Sequence, residues 1–265
     1  MTAAGLTITI LGCGSSGGVP RPGLGWGACD PNNPKNRRRR CSILVEREGP
    51  DGKTSVLVDT SPDLREQLLG ADVTRLDAVF YTHDHADHTH GIDDLRPLVI
   101  YNRRRIPVFM TSETSRALHH RFSYCFTSST TYPPILDENR LTPGTPVTVT
   151  GDGGAITGLP VEVVHGDIAA LAFRFGAAAY SCDLNDMSDE AASALQGLDL
   201  WIIDALRYDP HPSHFSLADA LRWIERLKPK RAILTNMHVD LDYDVLRASL
   251  PANVEPAFDG MRVKV

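Results

Sequence analysis

The sequence predicts an α/β protein: one domain over residues 1–265 with many strands and interspersed helices, compatible with two sheets covered by helices. Three observations carry that expectation. Short apolar, β-rich runs recur along the whole chain. Segments with helical spacing lie between them. With 265 residues, 42% of them hydrophobic and 23% charged, the chain can bury a sizeable core and has the composition of an ordered globular protein.

The apolar runs predict strands at Thr7–Gly12, Ser42–Glu46, Ser55–Asp59, Ala78–Thr82, Pro107–Met110, Val147–Thr150, Val161–His165, Ala170–Phe175, Ala178–Cys182, Leu200–Asp204 and Arg231–Thr235. Several end on a polar residue fit to line a site, namely Asp59, His165, Asp204, and Asp183 just past Cys182. The clearest helix runs from Leu217 to Leu227, with Leu217, Leu221, Ile224 and Leu227 at helical spacing. Ser216 with Asp219 forms a capping-box pattern before it, and Pro229 follows its end. Thr111–Tyr124, Ser188–Leu195 and Asp244–Leu250 are weaker helical patterns. The Gly- and Pro-rich stretch from Gly12 to Pro34 reads as a long loop.

Charge and cysteine usage narrow the classes. With 27 Lys+Arg against 33 Asp+Glu the formal charge is −6, which disfavours non-specific coating of nucleic acid. Met1–Leu11 lacks the basic-then-apolar pattern of a signal peptide, and no apolar run is long enough to span a membrane. The five cysteines are odd in number and scattered, so a disulfide framework is not expected and a reduced, cytoplasmic setting is.

The most informative segment is Tyr81-Thr82-His83-Asp84-His85-Ala86-Asp87-His88, directly after the strand at Ala78–Thr82. His83 and His85 are two apart, so in extended chain their rings project to one side. Asp87 and His88 then begin a turn or helix that can bring a carboxylate and an imidazole back to the same pocket. Histidine fills 10 of 265 positions, and His-x-His-x-Asp-His arises by chance in about one such chain per thousand. Neutral imidazole with carboxylate suits zinc, manganese or iron better than calcium. His165, Asp183 and His238 lie at the ends of later apolar runs and are the candidates to complete the site.

These residues, in this chain order, resemble the metallo-β-lactamase superfamily. The resemblance implies an αββα sandwich with two divalent ions at one edge: zinc or manganese, with iron also compatible. His83, His85 and His165 would hold one ion, Asp87, His88 and His238 the other, and Asp183 would bridge them. The opening Leu11–Pro20, the arginine-rich approach to Cys41-Ser42 and the ending Phe258–Met261 are similar to the PhnP-type phosphoribosyl 1,2-cyclic phosphate phosphodiesterases. Those enzymes carry a cysteine-dense N-terminal loop that holds a separate structural zinc with a late histidine. Here the corresponding Trp26–Pro31 loop keeps only Cys29, and Leu241 stands three residues after His238, so no structural third zinc is expected.

The implied activity is hydrolysis of a small cyclic ribose or nucleotide phosphodiester by metal-bound hydroxide. Asp183 would hold the ion pair, and His214, in Pro212–Ser216, would protonate the leaving oxygen. His214 is also similar to the His-x-Ser/Thr element of tRNA 3′-processing nucleases. Arg37–Arg40 and Arg103–Arg105 are basic clusters suited to phosphate, or ordinary solvated charge. The Ser15–Gly18 loop offers backbone amides to a phosphate. Asp59 and Asp204 are candidates to orient histidines. A tRNase Z-like nuclease and a thioesterase or lactonase share the metal set. A non-enzymatic metal scaffold fits less well, because every expected ligand is present. The expected partner is the small substrate, with neither membrane nor nucleic acid favoured, and a homodimer is compatible with the sequence.

Overall fold

The computed structural model describes residues 5–128 and 132–265. Residues 1–4 of the stretch read for a signal peptide lie outside them. The first half supplies β1 (Leu6–Gly12), β2 (Ser42–Gly49), β3 (Gly52–Val58), α1 (Leu64–Gly70), β4 (Ala78–Phe80), α2 (Ala86–Thr89), α3 (Arg96–Asn102), β5 (Ile106–Met110), α4 (Ser112–Phe126) and β6 (Leu136–Arg140). The second half adds β7 (Val147–Gly151), β8 (Gly154–His165), β9 (Ile168–Phe175), β10 (Ala178–Ser181), α5 (Asp189–Ala194), β11 (Leu200–Asp204), α6 (Leu217–Leu227), β12 (Arg231–Thr235), α7 (Tyr243–Ser249), β13 (Val254–Pro256) and β14 (Arg262–Lys264).

The strands form two seven-stranded mixed sheets, ordered β14-β1-β2-β3-β4-β5-β6 and β13-β12-β11-β10-β9-β8-β7, with helices on the outer faces. Strand periodicity explains the layering. On β2 to β4, Ile43, Val45, Val56, Val58 and Phe80 point into the core between the sheets. The alternate residues Leu44, Leu57, Val79 and Tyr81 join a second core beneath the helices. A strand buried on both faces reads as an unbroken apolar run, which is why these strands were visible in the sequence. Phe80 centres the inner layer, with ring centroids 5.2 Å from Phe109 and 5.3 Å from Phe173. Gly158 makes room for it, because a Cβ there would lie 2.6 Å from the Phe80 ring.

Four strand segments and three helices escaped the sequence pattern. β6 is Leu-Asp-Glu-Asn-Arg at a sheet edge with only Leu136 buried, so it carries no alternating signal. β13 and β14 are three residues each. The first half of β8 is punctuated by Gly154, Gly158 and Pro160, so only Val161–His165 stood out. α1, α2 and α3 span seven, four and seven residues, too short for a helical period to register. α6 has the expected bounds, and both halves of its Ser216–Asp219 capping box are formed. Among the described residues no helix is long and apolar enough to cross a membrane.

All five cysteines are unpaired and buried. Burial pushes the Cys182 thiol up to about 12 and the Cys125 thiol up to about 11. Ellman's reagent at neutral pH is therefore expected to find no fast-reacting thiol in the folded chain and all five after denaturation. A thiol that reacts at once in native buffer would contradict this packing.

Candidate metal centre

The site forms where strands of both sheets end at one edge of the sandwich. His83 follows β4, His165 closes β8, and Asp183 follows β10. The two sheets are tied beside it by the Leu171 amide, which donates to the Thr82 carbonyl at 3.0 Å. His85 caps the start of α2, and that short helix turns Asp87 and His88 back toward His83. His83, His88, His165 and Asp183 are buried, whereas His85 is exposed.

One ligand atom each from His83, His85, His165 and Asp183 lies within 4.8 Å of the others. The two oxygens of Asp183 face different neighbours. Oδ2 is 3.8 Å from His83 Nε2 and 3.6 Å from His165 Nε2. Oδ1 is 3.2 Å from His88 Nε2, which is itself 3.5 Å from Asp87 Oδ2. His83 Nε2 and His88 Nε2 are buried without a hydrogen-bond partner among the described residues. Two orphaned ring nitrogens beside one carboxylate fit divalent cations of the borderline class, which take imidazole and carboxylate together.

The opposite ring nitrogens are held by acceptors, which orients both rings with Nε2 toward Asp183. His88 Nδ1 donates to Asp59 Oδ2 at 2.8 Å. The Thr82 hydroxyl donates to the same oxygen at 2.8 Å and accepts from His83 Nδ1 at 3.0 Å. Asp59 therefore orients two histidines, one directly and one through Thr82. His165 Nδ1 donates to the Ser213 carbonyl at 2.6 Å. Asp59 follows β3 with a left-handed φ of 65°, a conformation that its hydrogen bonds to Thr82 and His88 offset. Asp59→Ala is expected to weaken metal binding about 10- to 100-fold. Titration of chelator-stripped protein with Mn2+ measures it, and an unchanged isotherm would remove Asp59 from this role.

Electrostatics agree with cation binding. Burial holds His83 well below the usual imidazole range, and burial also lowers His165, so both rings are neutral. Burial opposes charge on His88 too, but Asp183, Asp87 and Asp59 around it overcome that and push it well above its ordinary value. Burial would raise Asp183, yet His88 and His83 keep it ionised far below its usual range. A buried pocket whose carboxylates draw a proton onto an interior imidazole is one that favours cations. Asp59, His88 and Cys182 also come together. That grouping is support rather than a ligand set, because Asp59 is committed to hydrogen bonds and the Cys182 thiol stays protonated.

His214, before α6, presents its ring beside this cluster. Its Nδ1 bonds Asp204 Oδ2 at 2.9 Å and lies 3.9 Å from Asp183 Oδ2. Burial would lower it, but Asp204 and Asp183 hold it up at about 9. His238 lines the same pocket as Asp87 and His214 but is turned away from Asp183, its Nε2 against the Arg21 guanidinium. Residues that sequence reasoning missed complete the wall: Arg21, Arg207, His211 and Asn236, with Leu206. Asn236 has φ 61°, and its amide donates to Asp183 Oδ1 at 3.5 Å. The sequence signal for them is slight, a polar residue past a strand end or an arginine in a loop. The pocket has a volume of about 140 Å³.

The basic clusters noted in the sequence are largely engaged elsewhere. Arg39 pairs with Asp259 and Arg40 with Asp63, Arg38 is buried, and the run borders a separate cleft of about 540 Å³. Arg104 faces Asp77 and Arg105 faces Asp137.

Comparison with known proteins places this geometry in a family. Residues 54–237 match the family model described as a beta-lactamase superfamily domain. A crystal structure described as a new diphosphatase from the PhnP family is 35% identical, covers 98% of each chain and superposes with a TM-score of 0.88. The short form of human tRNase Z shares the fold at a TM-score of 0.67 and 17% identity, covering 97% of this chain and 98% of its own. A protein of Porphyromonas gingivalis (strain ATCC BAA-308 / W83) named octanoyltransferase is 31% identical over 257 residues, 95% of this chain. The chain spans about half the length of that curated relative, 50%. The match across residues 54–237 and the near-complete overlap with the diphosphatase lead to one assignment: the chain belongs to the metallo-β-lactamase superfamily and, within it, to the PhnP family.

Proposed function

We propose that this chain is a two-ion hydrolase of small phosphodiesters, with His83, His85 and His165 at one ion, Asp87, His88 and His238 at the other, and Asp183 between them. The observation that carries the reading is the division of Asp183: one oxygen faces His83 and His165 and the other faces His88, with a ring nitrogen lacking a hydrogen-bond partner among the described residues on each side. Two divalent cations bound there would supply Lewis acidity and lower the pKa of water toward neutrality.

The protein's own groups do the rest. Asp183 and the histidines fix the ions, and Asp59 and Thr82 hold the His83 and His88 rings with Nε2 toward Asp183. Arg21 brings a guanidinium to the pocket wall as a group for phosphate oxygens, whereas that of Arg207 is held by the Asp209 and Pro210 carbonyls at 3.2 and 2.8 Å. His214 Nδ1 is committed to Asp204, which leaves Nε2 to deliver a proton to the departing oxygen.

A second reading, hydrolysis of a phosphoanhydride, is favoured by the name diphosphatase carried by the 35%-identical relative. The same groups would act on either bond. Thiol-based acyl transfer is disfavoured, because it needs an accessible thiolate and all five cysteines are buried.

The test is hydrolysis of bis(p-nitrophenyl) phosphate and of a nucleoside diphosphate ester after reconstitution with Mn2+ or Zn2+, with a thioester and a lactone as controls. Turnover of the phosphorus substrates alone is expected. Preference for the thioester or lactone would overturn the reading, and binding of RNA that falls steeply with salt would favour the nuclease.

A further inference from the structure

The proposed chemistry uses none of the arginines of the Arg37–Arg40 run, and one of them lies in the protein interior. Arg38 is 2% exposed and ranks with Trp201 among the largest fully buried side chains. A guanidinium is tolerated in a protein interior only where acceptors meet it. Here the acceptors are neutral and lie on two segments far apart in sequence. Nη2 donates to the Leu241 carbonyl at 2.6 Å and to Asn36 Oδ1 at 3.3 Å. Nη1 donates to the His238 carbonyl at 3.3 Å and faces Cys29 Sγ at 3.9 Å.

The surrounding contacts tie the same two segments. The Ala28 amide donates to the Val239 carbonyl at 2.9 Å, and the Cys29 thiol donates to that carbonyl at 3.3 Å. Asn36 Nδ2 donates to Asp242 Oδ2 at 2.7 Å. Arg38 and Val19 exchange backbone hydrogen bonds of 2.8 and 2.9 Å, which fixes the loop carrying Ser15 and Arg21. The His238 backbone is thus clamped at both ends, its amide on the Leu206 carbonyl at 2.8 Å and its carbonyl on Arg38. Its ring meets side chains only, the Arg21 guanidinium at Nε2 and Asp240 Oδ1 at 3.3 Å from Nδ1, so the backbone clamp sets where the ring is anchored.

We propose that Arg38 is a positioning residue for the second ion: its buried guanidinium clamps the His238–Leu241 loop so that the His238 imidazole stays at the wall of the pocket that Asp87 also lines. This rests on His238 being a ligand in the two-ion reading. Arg38 touches neither substrate nor ion. It acts through the carbonyls of the loop, so its removal should separate the two ions in affinity. Loss of general stability would not do that.

The experiment is calorimetric titration of chelator-stripped full-length protein with Mn2+ in wild type, Arg38→Met, His238→Ala and Ile156→Ala. Ile156 sits toward the far end of β8 from His165 and serves as a control whose urea midpoint is compared with that of Arg38→Met. Two binding events are expected in wild type. Arg38→Met should keep the first unchanged and weaken the second about tenfold or more, as His238→Ala does, while Ile156→Ala alters neither. If Arg38→Met does not fold, Arg38→Lys, which keeps the charge and stem but loses the planar fork, is read the same way. Two unchanged events in the Arg38 variant, or equal weakening of both, overturn the proposal and leave the two-ion reading standing. A single event in wild type that His238→Ala does not alter overturns both.

Discussion

Asp183→Ala is expected to abolish binding of both ions and to reduce hydrolysis of bis(p-nitrophenyl) phosphate by about 10⁴-fold or more, a barrier increase of about 5.5 kcal/mol. The geometry makes this the most damaging single change. Among the described residues, Asp183 is the carboxylate whose two oxygens face separate histidine groups. Without it, His83, His165 and His88 lose the anion that offsets two adjacent cations in a buried site. Loss of His85 or Asp87 should impair one ion more than the other, so the contrast is diagnostic. Metal analysis after gel filtration, together with the rate, measures it. An Asp183→Ala protein that retains two ions at wild-type affinity would remove the bridging role.

His214→Ala is expected to behave oppositely, with metal content intact and turnover lowered about 10²- to 10⁴-fold. The loss should be large for a diester with an alkoxide leaving group, which must be protonated as it departs. It should be small for a p-nitrophenolate, which leaves without help. The placement supports this division of labour: His214 is held by Asp204 at 2.9 Å and stands 3.9 Å from Asp183, beside the candidate ligands rather than among them. Measuring the two leaving groups side by side decides the matter. Equal losses for both would assign His214 to positioning of Asp183 or substrate instead of proton transfer.

Much of the site was legible in the sequence because its chemistry is dense and local. His83, His85, Asp87 and His88 lie within six consecutive positions, so their spacing alone pointed to a candidate metal-binding turn. His165, Asp183 and His214 were legible more weakly, as polar residues after strands or before a capped helix, and the fold brings all three to the same edge. Asp59 and Asp204 stood out as strand-end acids, and each now has a histidine partner at 2.8 and 2.9 Å. Arg21, Arg207 and Asn236 were not legible, since nothing in a loop arginine or a strand-end asparagine distinguishes a pocket wall from solvent. His238 was drawn from the resemblance, and its ring is turned to Arg21 rather than to Asp183.

The fold divides in the same manner. Strands buried on both faces, such as β3 and β11, declare themselves by continuous apolar sequence, because both sides of the sheet exclude water. The polar edge strand β6 and the three-residue strands β13 and β14 exist only because a neighbouring strand offers its hydrogen bonds, so their own residues say little. By itself, then, the sequence determined the α/β class, most of the inner strands and the candidate metal-binding turn, all of which depend on residues close in the chain. The tertiary structure alone decided which oxygen of Asp183 faces which histidine and how Asp59 reaches two rings. It also decided that Arg38 would lie buried against a loop two hundred residues away. Those are contacts between strand ends and loops remote in sequence, and hydrophobic periodicity fixes the layers without specifying what meets at their edge.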